Sequence, residues 1–429
     1  MPENTPSTIQ SLPSDVIDQI AAGEVVERPA HLVKELIENS LDAGSTEVTL
    51  EITEGGRGVV VKDNGLGIAP DQISKALERH TTSKIIKTDD LWNLSTYGFR
   101  GEALASIAAV SRLTLSSKTK SESTGARLES EFGRQGSLDR IGHTQGTRLQ
   151  IRDLFENVPA RLKFMKSASA EISAIRNVLK AMALARPEVS FQMFVEGRLD
   201  LHYPAAASRK HRAEQVLEIS PLYEGKATRD GVTAYSVMGD PNQTAKTSKN
   251  IWILAQNRWI QDRSLQVAVT EAYRTMLMHG EYPYVVTWVE TTPDQIDVNI
   301  HPTKSQVKFA EPSLAFRAVS ASVRETLERA PWVQEILRSS GPSMFAAPTP
   351  RPENLSFNGV GLETTQYQVK PSFQTLRSPE SPRVSENHAD LGIAKLAEIR
   401  QNLNQIGESS SEAPTSGLWS GLQILGQAN

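Results

Sequence analysis

The sequence predicts an α+β protein: an α/β sandwich, followed by a second, smaller α/β domain and a linker without a core. Three observations predict it. Two strand-period segments, Thr46–Thr53 and Val59–Asp63, are joined only by Gly55-Gly56-Arg57-Gly58, so they form a hairpin and not a βαβ unit. Helix-period segments precede and follow further strand candidates, which gives helices on one face of a mostly antiparallel sheet. Around Tyr203–Asp230 the pattern thins, then restarts with strands and helices of its own.

In chain order, a helix around Val16–Ala22 leads through Gly23-Glu24-Val25-Val26-Glu27-Arg28 to a second that Pro29 opens at its first turn and Asp42-Ala43-Gly44 ends. In the first strand, Val48, Leu50 and Ile52 alternate with Glu47, Thr49 and Glu51, so one face is buried. Helices are expected over Asp71–Glu78 and Gly101–Val110, with a long polar, threonine-rich span between them of the kind that forms lids or binding loops. Strands Arg112–Ser117, Gly125–Glu131 and Thr147–Arg152, a helix near Glu171–Ala185 and a hairpin over Phe191–Leu201 complete the first domain, placed at residues 1–220. The second domain, 221–332, holds strands Thr233–Met238, Asn250–Gln256, Tyr284–Glu290 and Asp297–Ile300, with helices Leu265–Met278 and Pro312–Arg329. Residues 333–429 are rich in proline and serine (Ala347-Pro348-Thr349-Pro350-Arg351-Pro352, Ser378-Pro379-Glu380-Ser381-Pro382) and read as a disordered linker. Within it, Leu396, Ile399, Leu403 and Ile406 suit one transient amphipathic turn, and Leu422–Gln427 resembles the first strand of a domain that does not follow.

Composition narrows the chemistry. The chain has 429 residues, 38% hydrophobic and 22% charged, enough for two or three domains. Its 46 basic and 50 acidic side chains leave a formal charge of −4, which demands neither nucleic acid nor membrane but leaves room for a local basic groove. No cysteine occurs, so there is no disulfide, thiolate metal site or cysteine nucleophile, as expected of a reducing cytosol. Eight histidines include no His-Glu-x-x-His spacing, which argues against a zinc hydrolase. The polar start, Met1–Ser14, lacks the features of a signal peptide, and no apolar run approaches the roughly 20 residues of a membrane span. A cytoplasmic protein without membrane contact is expected.

Three segments carry chemistry. Glu35, Glu38, Asn39 and Asp42 stand at i, i+3, i+4 and i+7, one face of a helix whose other face (Leu32, Val33, Leu36, Ile37, Leu41) is apolar. Carboxylates so close repel each other, which suggests a compensating cation, arginine or activated water, although a solvated acidic face is the plain alternative. Asp63-Asn64-Gly65-Leu66-Gly67-Ile68 ends a strand, where Asp63 can accept from an exocyclic amine such as adenine N6; read alone, the hairpin turn is the better reading. Tyr97-Gly98-Phe99-Arg100-Gly101-Glu102-Ala103-Leu104 sets two glycines before a helix, so free N–H groups can face phosphate, or the glycines can simply be a hinge. No Gly-x4-Gly-Lys-Ser/Thr occurs, which excludes a P-loop.

In this order the three segments resemble the GHKL ATPases (gyrase, the heat-shock ATPase chaperones, histidine kinases), whose nucleotide domain is the Bergerat-type sandwich. More closely they resemble MutL-type DNA mismatch-repair proteins. Gln19–Pro29, Glu38–Gly44, Arg79–Lys84, Gly98–Ile107, Pro159–Phe164 and Val298–Lys304 are similar to that family's signatures, over roughly residues 9–330. The second domain resembles the ribosomal-protein-S5-like transducer fold of the same superfamily.

The resemblance implies ATP as substrate and Mg²⁺ as cofactor. It implies Glu35 as general base for the attacking water, Asn39 as Mg²⁺ ligand and Asp63, with Gly67 and Thr147, as adenine reader. Residues His80 to Ala103 match the ATP lid, so Thr82, Ser83, Lys84, Gly98, Phe99, Arg100 and Gly101 are nucleotide-facing candidates, and Lys304 matches a lysine that reaches the γ-phosphate. Glu38 and Asp42 stay open between a role in the site and a structural one. Asn257-Arg258-Trp259-Ile260-Gln261-Asp262-Arg263 matches a transducer loop that often has glycine after the asparagine; Arg258, Arg263 and Arg274 are candidates for sequence-tolerant contact with single- and double-stranded DNA, or are simply solvated. The implied partners are a MutS-type mismatch-recognition protein, a downstream helicase or endonuclease, and a second copy in an ATP-dependent homodimer. Two other readings, a chaperone or topoisomerase subunit on the same ATPase domain and a non-catalytic nucleotide-switched adaptor, compete with it. The nuclease motif Asp-Gln-His-Ala-x2-Glu of some relatives is absent here.

Overall fold

The structure is a computed structural model that describes residues 10–11, 13, 17, 20, 22–23, 25–85, 87, 96–98, 100–297 and 307–331. Lys304, Phe99, most of the expected helix at 16–22, the linker with its amphipathic stretch, and the final expected strand lie outside the described residues.

Helix α1 (Pro29–Asp42) starts from an extended Arg28, has proline in its first turn, and buries Leu32, Val33, Leu36, Ile37 and Leu41. It leads into β1 (Glu47–Thr53), which turns back as β2 (Gly58–Asp63) in antiparallel register, with Val48 opposite Asp63. Strands β3 (Arg112–Lys118), β4 (Gly125–Glu131), β5 (Arg134–Ile141), β6 (Gly146–Arg152), β7 (Ser190–Val195) and β8 (Arg198–Tyr203) complete an eight-stranded sheet in the order β5-β4-β3-β6-β2-β1-β7-β8. All its pairs are antiparallel except β1 with β7. Burial alternates along β1, β4 and β6, so one face carries the helices. Short helices α2 (Ile73–Ala76), α3 (Ala103–Ala109) and α4 (Pro159–Phe164), the long α5 (Ala168–Ala185) that packs along α1, and α6 (Arg209–Leu217) complete this layer.

The second sheet has β9 (Tyr223–Arg229), β10 (Val232–Met238), β11 (Ile251–Ala255), β12 (Arg258–Ile260) and β13 (Val285–Glu290) in the order β12-β11-β13-β10-β9, with β11 and β13 parallel. Helices α7 (Arg263–Ala272) and α8 (Pro312–Arg329) cover one face, over Ile253, Ala255, Val285 and Val289. The alternate residues Trp252, Leu254, Val286 and Trp288 belong to the first sheet's core, and the Trp288 indole donates to Leu184 O at 3.1 Å. Being buried on both faces, β11 is an unbroken apolar run, Ile-Trp-Ile-Leu-Ala. Both sheets lie within one compact unit.

Several elements differ from the sequence reading. Strand β5 has no apolar face, since residues 134–140 are exposed, and only backbone pairing with β4 makes it a strand. Helix α6 and β9 arise where the pattern was thin, and β12 where a loop was expected. The helix expected over Asp71–Glu78 shrinks to a 3-10 turn, Pro70–Gln72, and the four residues of α2. Helix α7 ends at Ala272, not Met278; of the expected strand Asp297–Ile300 only Asp297 lies within the described residues, where Ile296–Asp297 pair with Lys308–Phe309. Among the described residues no helix is long and apolar enough to cross a membrane.

Candidate functional site

The site is built where the C-terminal half of α1 meets the end of β2. Asp63, 9% exposed, sits where β2 ends, because its register opposite Val48 brings it beside Ser40 of α1. Its Oδ1 accepts from the N–H groups of Gly65 (2.9 Å) and Thr147 (3.2 Å), and its Oδ2 accepts from the Ser40 hydroxyl (2.9 Å). Burial pushes its carboxyl above the ordinary aspartate range, although the bonds from Gly65, Ser40 and Thr147 all pull the other way. Ser45 lies close enough to act on the same carboxylate, which as an ionised group can only accept hydrogen bonds. Gly67, at φ +74, lies on the Lys118 carbonyl, which an added Cβ would approach to 2.1 Å. Ser117 accepts from Ile68 N–H at 2.8 Å and donates to Gly146 O, tying the Gly65–Ile68 turn to the strand that carries Thr147.

One turn away the acid–amide face gathers a second cluster. Glu35 and Asn39 are half-buried, and the Asp42 side chain is only 6% exposed. Lys84 Nζ donates to Asn39 Oδ1 (2.8 Å) and Asp42 Oδ2 (2.5 Å). Asp42 also accepts from the N–H groups of Tyr97 (2.9 Å) and Gly98 (3.2 Å), so one carboxylate holds both ends of the lid segment. Gly98 approaches this cluster closely enough that a Cβ there would stand 3.3 Å from Lys84 Nζ and 3.7 Å from Asn39 Oδ1. Thr82 and Ser83 are exposed, with Thr82 Oγ1 accepting from Lys84 N–H in a local turn, and Arg100 is exposed. Gly101, at φ +64, passes against Thr81 O just before α3. Glu38 departs from the stripe: it is 2% exposed and paired with Lys34 at 2.7 Å.

The proposed DNA residues separate. Arg258 does not line an open groove, which corrects the sequence reading. It is 9% exposed, its guanidinium donates to Thr96 O (2.8 Å) and Tyr97 O (3.3 Å), and it covers the Tyr97 ring at 5.4 Å. Its position on the short edge strand β12 turns it toward the lid instead of solvent. Arg263, at the start of α7, and Arg274, just past its end, are exposed.

Sequence reasoning missed Ser40, Ser117 and Tyr97. Ser40 follows directly on the motif asparagine, which was a signal; nothing in the sequence near Tyr97 points to Arg258.

The comparisons agree with this geometry. A model described as "Histidine kinase-, DNA gyrase B-, and HSP90-like ATPase" matches residues 27–153, and one described as "DNA mismatch repair protein, C-terminal domain" matches 210–328. The DNA mismatch repair protein MutL of Geotalea uraniireducens is 35% identical over 430 residues, covering 98% of this chain and 69% of the relative. The chain belongs to the MutL family of DNA mismatch repair proteins. The MutL of Citrifermentans bemidjiense is 36% identical over 92% of this chain, which spans 62% of that relative's length. Among solved MutL structures, the Aquifex aeolicus MutL ATPase domain complexed with ADP is 33% identical, with a TM-score of 0.51 over 63% of this chain and 94% of its own. The N-terminal domain of a DNA repair protein, at 22% identity and a TM-score of 0.63, shares the fold. The ATPase family match and the Aquifex aeolicus MutL structure place the chain's first sheet and its helices among the GHKL nucleotide domains, and the mismatch-repair match covers the second domain.

Proposed function

We propose that this chain binds and hydrolyses ATP with Mg²⁺, and that the nucleotide state governs its pairing with a second copy and its hold on DNA during mismatch repair. The observation that carries the reading is Asp63, a buried acceptor-only carboxylate at the end of β2, bonded to Ser40, the residue that follows Asn39 on α1. A base that offers an exocyclic amine can donate to it. The relative solved with ADP is a MutL ATPase domain, which supports a nucleotide as the ligand.

Asn39 would hold Mg²⁺ through its Oδ1, the atom that Lys84 now engages, together with phosphate oxygens. A Mg²⁺ held there would supply positive charge to offset the negative charge of the phosphates. Gly98, bare at Cα beside Asn39, gives the phosphates a close approach to backbone, and Lys84 supplies a cation at the same point. Glu35, one turn before Asn39 on α1, is positioned to orient and deprotonate the attacking water. The roles of Thr82, Ser83, Phe99, Arg100, Gly101 and Thr147 around the nucleotide, and of Lys304 at the γ-phosphate, rest on the resemblance to MutL-type proteins.

Arg263, at the start of α7, and Arg274, just past its end, belong to this reading as phosphate contacts, with MutS-type and downstream helicase or endonuclease partners. The test is a pair of measurements on the Glu35→Ala variant: equilibrium binding of an ATP analogue, and turnover. Retained binding with lost turnover supports the reading; unchanged turnover overturns the base assignment, and no binding by the wild type overturns the nucleotide site.

A further inference from the structure

The second domain enters the nucleotide site through one side chain. From β12, Arg258 forks onto the carbonyls of Thr96 and Tyr97, and from the opposite side the Asp42 carboxylate takes the N–H groups of Tyr97 and Gly98. The peptide units at 96–98 are therefore held between a guanidinium on their oxygens and a carboxylate on their nitrogens. Tyr97 adds a third tie: its hydroxyl donates to Asn257 O at 3.2 Å, and burial pushes that hydroxyl up to about 12, so it stays a donor at neutral pH. Lys34, Glu38, Met182 and Trp259 close the crevice around the Tyr97 and Arg258 side chains. Asp42 in turn fixes Lys84, which shares Asn39.

The rest of the boundary between the two sheets leaves little freedom for a rigid-body swing. Trp252, Leu254, Val286 and Trp288 are packed into the first sheet's core, and such packed interfaces switch between discrete arrangements and do not deform smoothly. Polar ties that can exchange partners, such as those at 96–98, are where nucleotide occupancy can be felt by the second domain at small cost.

We propose that Arg258 is a positioning residue for the nucleotide site: from the second domain it sets the Tyr97–Gly98 peptide on Asp42, and through Asp42 the placement of Lys84 beside Asn39. This rests on the nucleotide reading above. Arg258 touches no reacting atom. Its effect passes through the backbone that carries Gly98 and the lysine that shares the metal-side asparagine. Because the link is reciprocal, a ligand that draws Lys84 or Gly98 away from Asp42 loosens the grip on Arg258, and so reports occupancy to β12.

The experiment uses the full chain with Arg258→Gln and Arg258→Lys. Amide hydrogen exchange read at residues 97 and 98, equilibrium binding of a non-hydrolysable ATP analogue, and steady-state kcat and KM are measured beside thermal melts. Two hydrogen bonds from a charged donor are lost in Arg258→Gln, so ATP affinity should fall roughly tenfold or more, carried by KM with a smaller change in kcat. Exchange at 97 and 98 should accelerate while the amides of α1 and the sheets stay protected. A lysine cannot fork onto two carbonyls, so Arg258→Lys should recover only part. A local loss of this kind separates positioning from general destabilisation, which would raise exchange throughout. Wild-type protection at 97–98 together with wild-type affinity and KM in Arg258→Gln overturns the proposal, as does exchange that rises uniformly in both variants. If the wild type binds no nucleotide, the ATPase reading fails by itself, and the exchange at 97–98 still tells whether Arg258 positions the peptide.

Discussion

At Asp63, burial and hydrogen bonding pull in opposite directions, and burial wins. The folded pKa lies above the ordinary aspartate value, so whatever stability this group confers is fully present below the unfolded pKa and is lost as pH rises through the folded one. Ligand binding carries the opposite sign, because only the ionised form can accept from an amine without donating. Nucleotide affinity should therefore fall on acidification, beginning above the ordinary aspartate range. Asp63→Asn should flatten that pH profile and weaken binding, since an amide has one acceptor oxygen for the donors of Ser40, Gly65 and Thr147. Titration of analogue binding against pH for both proteins decides it; a parallel profile in the variant would remove Asp63 from the site. Asn39→Ala should weaken Mg·ATP binding more than binding of metal-free nucleotide, which the same titration with and without chelator reads.

Among the elements, α6 shows how a fully buried charge can organise a junction. Arg212 is 0% exposed and donates from Nη2 to Pro187 O and Val189 O, both at 2.7 Å, where α5 gives way to β7. Burial lowers its pKa to about 10, which still leaves it charged at neutral pH. Replacement by methionine fills the volume but strands two carbonyls. We expect a loss of about 2–4 kcal/mol in denaturant unfolding without change in the fold; a loss under about 0.5 kcal/mol, the range of neutral surface changes, would show that water takes over the carbonyls. Neither α6 nor β5 was legible in the sequence, for different reasons. Arg209-Lys210-His211-Arg212 is polar because Arg212 is satisfied by backbone carbonyls 25 and 23 residues earlier in the chain, and β5 is held by its ladder to β4 with no apolar face to announce it.

For the whole molecule, the shared core predicts one cooperative calorimetric transition for the two domains. Trp288→Ala, which removes a buried ring and the bond to Leu184 O, should cost about 3–5 kcal/mol and separate the transition into two. Two resolved transitions in the wild type would contradict the shared core. If the second domain also holds DNA through α7, Arg263→Glu and Arg274→Glu should each lower the slope of log affinity against log salt by about one unit, with basal turnover retained. Unchanged slopes would exclude these arginines. The net charge of −4 makes binding of duplex and single strands depend on where the basic residues sit, not on their sum.

The sequence by itself determined the hairpin, the apolar side of α1, and the spacing that puts Glu35, Asn39 and Asp42 on one face of it, because each follows from local periodicity and from residues adjacent in the chain. It also carried the family resemblance, since the motifs are contiguous. Only the tertiary structure decided which polar residues face a ligand and which face each other. Glu38 lies on the acidic stripe yet is buried against Lys34, Asp42 spends its carboxylate on Lys84 and two lid amides, and Arg258 turns from a presumed DNA surface to the carbonyls of Thr96 and Tyr97. These pairs join residues from 42 to 162 positions apart, except the neighbours Lys34 and Glu38. A side chain's partner at that separation is set by how two sheets pack through Trp252, Leu254, Val286 and Trp288, and local sequence holds no record of it.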